Sequence, residues 1–487
     1  MDMYDILLAR SLGSGGGGTT NYNALSNKPE INGVPLQGNK TSADLGLGTA
    51  AEKDYTTTVE DGSADLPTGD AVHDFVAAQV AYIDNSIDDV QEQIDTVREI
   101  LGVELYGFRI DKQDSNPATC VTYMYDAAGK APAHMDYTSG TFDYGDWANA
   151  WFIRENKPCA LKYDGTVDYY LNPNDYTKKA DGTASDVSDG TYAGNFMATM
   201  PTVWTKYWED TRYIYVAFSN KQINDSYHAY AHDAGDGFIN DFIYLPMFKG
   251  AVIDSKLRSI AGQYPTVNNT ATIDRTAAVQ CGTGWDMWPF SAHTLVTMLA
   301  TLISKTTNTQ VAFGIGVARD ASETTHDGAI QTGLNDLATG QFYGVYDDTH
   351  HVKVFHIEDY WGNRFERSVG LHLVDNKYMY KLTPPYTSSG SEATYTLTNL
   401  SAPEAGYLMD CYVGEFGLLP KAVGGSTSKY FCDSFNVNAA STRTAIFGGF
   451  YATPSVSGGY FISLATASGT ASTTLGASPV YIPPHST

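Results

Sequence analysis

Apolar residues between Val76 and Leu101 recur at alternating intervals of four and three: Val76, Val80, Ile83, Ile87, Val90, Ile94, Val97 and Leu101. That spacing predicts a helix with a heptad seam, in which Val80, Ile87, Ile94 and Leu101 occupy a and Val76, Ile83, Val90 and Val97 occupy d. β-Branched residues at nearly every core position shift the preference from two strands towards three or four. A helix packed on a globular domain carries a wider apolar stripe. Here the flanks are polar or acidic (Asp84, Asp88, Asp89, Glu92, Asp95, Glu99), so the pattern predicts a short parallel trimeric stalk over 66–102.

After Gly102 the pattern changes to many short strand-like runs: Tyr213 to Phe218, Phe242 to Met247, Val311 to Val317, Val352 to Ile357, Val369 to Val374 and Tyr378 to Leu382. Two helices interrupt them. One runs from Ile273 to Gln280, and the other from Ser291 to Lys305, with Ser291 as N-cap and Leu295, Met298, Leu299, Leu302 and Ile303 on one face. The mixture predicts an α+β domain over 103–487 in which irregular loops dominate.

Ahead of the stalk, residues 1–65 form an N-terminal segment. Residues 11–18 read Ser-Leu-Gly-Ser-Gly-Gly-Gly-Gly, a flexible-linker composition that leaves Met1 to Arg10 as a tethered docking peptide. From Asn21 to Leu47, short apolar clusters alternate with Asn-Lys-Pro, Asn-Gly and Gly-Asn turn signals, predicting small β elements.

The other end is the most unusual. From Phe447 to Pro483 there is no Asp, Glu, Lys or Arg, only Gly, Ser, Thr, Ala and Tyr around a few apolar residues. Tyr supplies rigid amphipathic contact area and the small hydroxyl residues supply adaptable hydrogen bonding, as in a paratope. Gly448-Gly449 and Gly458-Gly459 would weaken a core strand. Thr453, Ser455, Ser457, Ser463, Thr466, Ser468, Thr470, Ser472, Thr473 and Thr474 would each need a partner if buried. Both points favour an exposed, ligand-facing surface, with Tyr451 and Tyr460 as its aromatic contacts.

Composition narrows the partners. The 487 residues carry 55 acidic against 30 basic side chains, a formal charge of −25, so phosphate neutralisation is not the source of affinity and nucleic acid is not expected. Charged residues are 17% of the chain, while 34 Tyr and 46 Gly are high. This suits turn-rich β structure with polar, uncharged surfaces, as in adhesins, viral fibres and some secreted hydrolases. Met1 to Leu12 lacks the charge and apolar length of a signal peptide, and no segment has the length of a membrane span, so membrane insertion is not expected.

Chemistry is sparse. Cys120, Cys159, Cys281, Cys411 and Cys432 include no close C-x-x-C pair and are read as buried thiols, with a Cys411–Cys432 neighbourhood left open. Asp233, Asp236, Asp241, Glu358, Asp359 and Glu366 are available for glycoside hydrolysis, but in an acidic chain they read as solvated loop carboxylates. The run from His232 to Gly237 with Asn240-Asp241 is oxygen-rich without EF-hand spacing. His350 and His351 adjoin, and neighbours on a strand face opposite ways, so with His356 they read as loop histidines rather than a zinc site. No catalytic residue, cofactor or metal is expected.

Two resemblances refine this. Asn21 to Leu47 resembles a segment near the N-termini of tail-fibre and baseplate proteins of tailed bacteriophages. Across 104–487, an ordered set of strings resembles the C-type lectin fold in its formylglycine-generating-enzyme-like branch, as used by phage receptor-binding proteins. These are Gly194-Asn195-Phe196-Met197, Met200-Pro201-Thr202-Val203-Trp204, the run from Lys256 to Gly262, Gly282-Thr283-Gly284-Trp285, Thr307-Asn308-Thr309-Gln310, Gly314-Ile315-Gly316, the run from Val352 to Arg367, the run from Tyr430 to Asp433, and Phe447-Gly448-Gly449. The copper-binding cysteine pair of the branch's namesake oxidase has no counterpart here.

Within that family, 447–483 is similar to the variable region of tropism determinants diversified by a retroelement. The resemblance implies Phe450, Tyr451, Thr453, Ser455, Ser457, Tyr460, Ser468, Thr470, Ser472 and Thr473 as variable receptor contacts, with Gly448, Gly449, Phe461, Leu464 and Gly476 as framework. Such patches commonly contain Asn, and an Arg after the late Gly; this segment has neither. The expectation is a homotrimeric phage tail-tip or tail-fibre receptor-binding protein, docked to other tail or baseplate proteins through its N-terminus, located on the virion, and attaching to a bacterial surface receptor, protein or glycan. The alternatives are a glycan-hydrolysing tailspike and a structural baseplate or neck decoration.

Overall fold

The computed structural model describes residues 30–35, 39–41, 43–45, 55–56, 66–67, 69–318, 328–334, 336–390, 393–439, 441–453 and 457–485. The expected docking peptide at 1–10, the linker at 11–18 and Ser455 lie outside the described residues. The chain divides into two compact units, 1–103 and 104–487. Structure is mixed α+β, with strand about twice as abundant as helix.

In the first unit Glu30–Ile31 pairs with Val34–Pro35 around Asn32-Gly33. Both turn residues have positive φ, 50° and 77°, the twist that a two-residue hairpin needs and that Asn-Gly adopts readily. A 33-residue helix spans Gly69–Leu101. It ends where Gly102 turns left-handed at φ 61°, so that the Gly102 and Val103 amides donate back to the Glu99 and Arg98 carbonyls at 3.0 and 2.9 Å. This double closure satisfies carbonyls that the helix leaves open. Of the eight seam positions, Val76, Val80, Ile83, Val90, Val97 and Leu101 are exposed, and Ile87 and Ile94 are half-buried.

The second unit is built on three sheets. Four antiparallel strands run in the order Trp204–Glu209, Tyr213–Ser219, Leu105–Asp111, Val121–Tyr125. A seven-stranded sheet centres on Gly194–Pro201, whose eight residues are all buried. A nine-stranded sheet carries Phe365–Val374, Arg443–Phe447 and Ile462–Thr466 side by side. The helix Phe290–Ser304 is buried along its whole length and joins residues of the first two sheets and of the closing segment in one hydrophobic core that includes Trp147, Phe218, Trp288, Trp361 and Phe447.

Three local expectations are corrected. The apolar run at Val311 to Val317 is not a strand but the end of a short helix, Thr309–Phe313, because the Asn308 side chain caps it by accepting from the Val311 amide and Gly314 stops it at φ 123°. Val352 to Ile357 is broken into a hairpin of Lys353–Val354 with Ile357–Glu358, turned by Phe355 and His356 at positive φ. Ser291 is not the N-cap of its helix: Pro289 holds that place without a side-chain bond, and its carbonyl accepts from the His293 amide at 3.0 Å. All five cysteines are buried and free.

Candidate functional site

The uncharged closing segment is threaded through the head rather than laid upon it. It leaves Arg443–Phe447, returns as Ile462–Thr466 beside that strand, pairs Leu475–Gly476 in parallel with Phe365–Val374, and then crosses to the seven-stranded sheet, where Pro479–Tyr481 lies between Phe242–Pro246 and Trp285–Met287. Phe461, Leu464 and Gly476 are buried, as are Gly448 and Gly449. Among the described residues, two stretches, 448–453 with 457–461 and 467–474, remain outside the strands.

The glycine pairs are buried, contrary to the expectation that they mark an exposed surface. Gly448 and Gly449 have φ of 80° and 68°; a Cβ on Gly448 would lie 2.7 Å from the Tyr360 carbonyl oxygen, and one on Gly449 would collide with Ser457. Gly458 backs on to the Asp433 carboxylate and Gly459 on to Thr297 and Thr309. These glycines permit close approach of backbone in a packed turn.

Two expected contacts are corrected with them. Tyr460 is 5% exposed and Ser457 fully buried. The Tyr460 hydroxyl is 2.6 Å from Thr301 Oγ1 on the buried helix, and its ring meets Phe431 edge-on with centroids 4.9 Å apart. Ser457 Oγ donates to the Thr453 carbonyl at 2.5 Å and lies 2.6 Å from Thr453 Oγ1, which in turn accepts from the Phe450 amide at 3.0 Å. Burying a hydroxyl is tolerated where it finds a partner, and this loop supplies its own.

What stays open is smaller and better placed. Phe450, Tyr451, Thr453, Ser468, Ser472 and Thr473 are half-buried and Thr470 is exposed. Phe450 packs on Phe365 with centroids 4.6 Å apart and meets Tyr451 at 5.1 Å. The second loop reaches the same residue from the other side, since the Phe365 amide donates to the Thr474 carbonyl at 3.0 Å and Phe365 pairs with Leu475. Phe365 therefore sits between the two loops and joins them. Beside it, the Arg364 guanidinium lies 5.0 Å from the centre of the Tyr451 ring, a cation–π contact that fixes the ring's attitude. Sequence reasoning missed the half-buried Phe365 and the buried Arg364 against which these loops pack, although both stand in the run from Val352 to Arg367 that carried the family resemblance.

The floor of the first loop is tied by backbone bonds: the Gly362 amide donates to the Gly448 carbonyl at 2.7 Å, and the Tyr451 amide to the Asn363 carbonyl at 3.2 Å. The second loop is tied to the segment before the helix Ala271–Val279. Asn268 and Ala271 amides donate to the Ser472 and Ser468 carbonyls at 3.0 and 2.9 Å, and Arg367 Nη2 donates to the Thr470 carbonyl at 2.7 Å. Main-chain groups of both loops make these bonds, and side-chain identity at 470 and 473 carries little structural duty, whereas the Tyr451 ring rests on Phe450 and Arg364.

The carboxylates divide differently from the expectation. Asp236 and Asp241 are exposed and Asp233 half-buried, but Glu358, Asp359 and Glu366 are at most 2% exposed; they are not solvated loop acids. Glu366 accepts from Lys249 Nζ at 3.0 Å and from Ser478 Oγ at 2.9 Å, and Asp359 accepts from Asn363 Nδ2 at 2.7 Å. Buried acids survive only when paired in this way. A cleft of about 410 Å³ beside Trp285, Tyr386 and Ile482 is lined by one acid, Asp286, held by Arg275 in two bonds of 2.9 and 2.8 Å. Hydrolysis of a glycoside needs two carboxylates across a cleft.

Compared with known protein families and with curated proteins, the chain matches none.

Proposed function

We propose that this chain is the receptor-binding protein of a phage tail tip or tail fibre: a virion-docking N-terminus, a trimeric coiled-coil stalk formed by the long helix, and a C-type lectin-like head whose closing loops contact a protein or glycan on the bacterial surface. The observation that carries the reading is the convergence of two charge-free loops, Phe450–Tyr451–Thr453 and Ser468 to Thr473, on Phe365, with Tyr451 poised over Arg364. Main-chain attachment that frees side chains such as Thr470 and Thr473 is what a surface open to diversification requires, and aromatic and hydroxyl residues suit it to many ligands. The contact set is Phe450, Tyr451, Thr453, Ser468, Thr470, Ser472 and Thr473, without the buried Ser457 and Tyr460. The exposed seam supplies the multiplicity: three copies raise collective attachment by roughly 10²–10⁴-fold over one weak contact.

The test is binding of fluorescently labelled full-length protein to host cells. Tyr451→Ala combined with Thr470→Ala is expected to weaken binding at least tenfold while the melting temperature shifts by only a degree or two, because both side chains reach solvent. Undiminished adsorption by that variant would remove the loops from the function.

A further inference from the structure

We propose that Asp336, His351 and Glu358, with Asp359, form a buried site for one divalent transition-metal ion such as Zn²⁺. Ligand atoms of the first three lie within 4.8 Å of one another, and all four residues are at most 2% exposed. His351 Nδ1 is 2.9 Å from Asp359 Oδ1 and 3.7 Å from Glu358 Oε1. The first is a hydrogen bond that a bound ion would replace, and the second lies close to the edge of a tetrahedron with metal–ligand bonds of about 2.0–2.2 Å, roughly 3.3–3.6 Å.

An acidic cluster alone would not identify a site. The independent observation is that Asp336 Oδ1, Asp336 Oδ2 and Glu358 Oε1 are buried without a hydrogen-bond partner, while the other atoms of the group are held in place. Glu358 Oε2 accepts from the Gly333 amide at 2.7 Å, and His351 Nε2 lies 3.0 Å from the Gln331 carbonyl oxygen. An Nε2–H bond to that carbonyl turns Nδ1 towards the acids, the outer-shell arrangement that orients a histidine ligand.

The charges are compatible with an ion. Lys353 Nζ bonds the Asp336 carbonyl at 2.6 Å and Thr339 Oγ1 at 2.9 Å and stands 3.4 Å from Asp336 Oδ2. A divalent ion with Lys353 and a neutral imidazole balances the three acids. Without it, burial and the neighbouring Asp336 push Glu358 well above the usual carboxylate range, so that it holds a proton that a bound ion would displace. The mixed imidazole and carboxylate set suits zinc better than calcium or magnesium.

The site would brace the proposed receptor surface, because Asp359 Oδ2 holds Asn363 Nδ2 at 2.7 Å and the Asn363 carbonyl accepts the Tyr451 amide. That consequence rests on the receptor reading; the metal does not.

The experiment measures metal directly. Full-length protein incubated with zinc and desalted should retain about one zinc per chain by plasma mass spectrometry, and chelation should lower its melting temperature by several degrees. Cobalt loading should give the visible absorption of a four-coordinate site. Asp336→Asn with Glu358→Gln should abolish both signals, whereas His350→Ala, altering the half-buried neighbour paired with Asp347, should abolish neither. Wild-type protein that holds no zinc or cobalt, or the double variant that holds as much, overturns the site. Metal retained with cell binding absent would instead count against the receptor reading alone.

Discussion

The two principal helices teach opposite lessons. The long helix Gly69–Leu101 exposes its apolar side chains, with Ile83 and Val97 each 53% accessible. The helix Phe290–Ser304 buries its polar ones, including Ser291, His293, Thr294, Thr297, Thr301 and Ser304. In the second, the most deeply set hydroxyls are paired. Thr297 Oγ1 is 2.7 Å from the Tyr360 hydroxyl and donates to the Gly459 carbonyl, and Thr301 Oγ1 is 2.6 Å from the Tyr460 hydroxyl. One helix keeps apolar surface uncovered, and the other has matched its deepest polar groups to neighbours. Burying a Val or Ile side chain contributes about 1.5–3 kcal/mol, so in the first helix that contribution is left unrealised within the single chain.

The largest expected effect breaks the first half of that contrast. Ile83→Asp with Val90→Asp places charges on the seam and should convert a trimer to monomers in sedimentation, with cell adsorption down by roughly 10²-fold or more; a wild-type monomer would already refute the stalk.

The next sharpens the second half through pH. Burial holds His293 down to about 3, with Lys249 adding to the effect, and holds His232 and His372 down to about 4. All three stay neutral in the native state while the unfolded chain takes up protons below about 6.5. Their contribution to stability is therefore complete above that pH and lost as pH falls towards 4, by on the order of 1–3 kcal/mol per histidine, while the buried Asp433, raised to about 8, contributes in the opposite sense. Urea denaturation of wild type and of His293→Phe between pH 7 and 4 checks this, and an identical pH dependence in the two would contradict it.

The smallest effect isolates one buried pair. Thr301→Val should cost about 1–2 kcal/mol by leaving the Tyr460 hydroxyl without this partner, Tyr460→Phe should cost less because Thr301 Oγ1 still donates to the Thr297 carbonyl at 3.0 Å, and together they should cost less than their sum. Strict additivity in thermal unfolding would mean that the two hydroxyls act independently.

Much of the fold was legible. Both head helices, the long helix, the Asn32-Gly33 hairpin and strands such as Tyr213–Ser219 follow from period and turn chemistry, which are local. The site was legible only in outline. Composition pointed to 447–483, and the two loops do converge, but the same composition served two purposes: glycine and hydroxyl residues suit both an open contact surface and a tight internal turn, and nothing local distinguishes Tyr451, at the surface, from Tyr460, nine residues on and buried. Likewise the dismissal of His351 rested on its neighbour His350 facing the other way. Neither residue lies in a strand: His350 is half-buried and His351 buried, and the acids beside His351 come from 336 and 358, which sequence spacing does not join.

By itself, then, the sequence determined the longer helices, the Asn32-Gly33 turn, and that one end of the chain carries no charge, because these depend on residues within a few positions of one another. Tertiary structure alone decided which hydroxyls and acids are buried and what they pair with. Burial and pairing are set when the closing segment crosses between two sheets, bringing together groups more than a hundred residues apart.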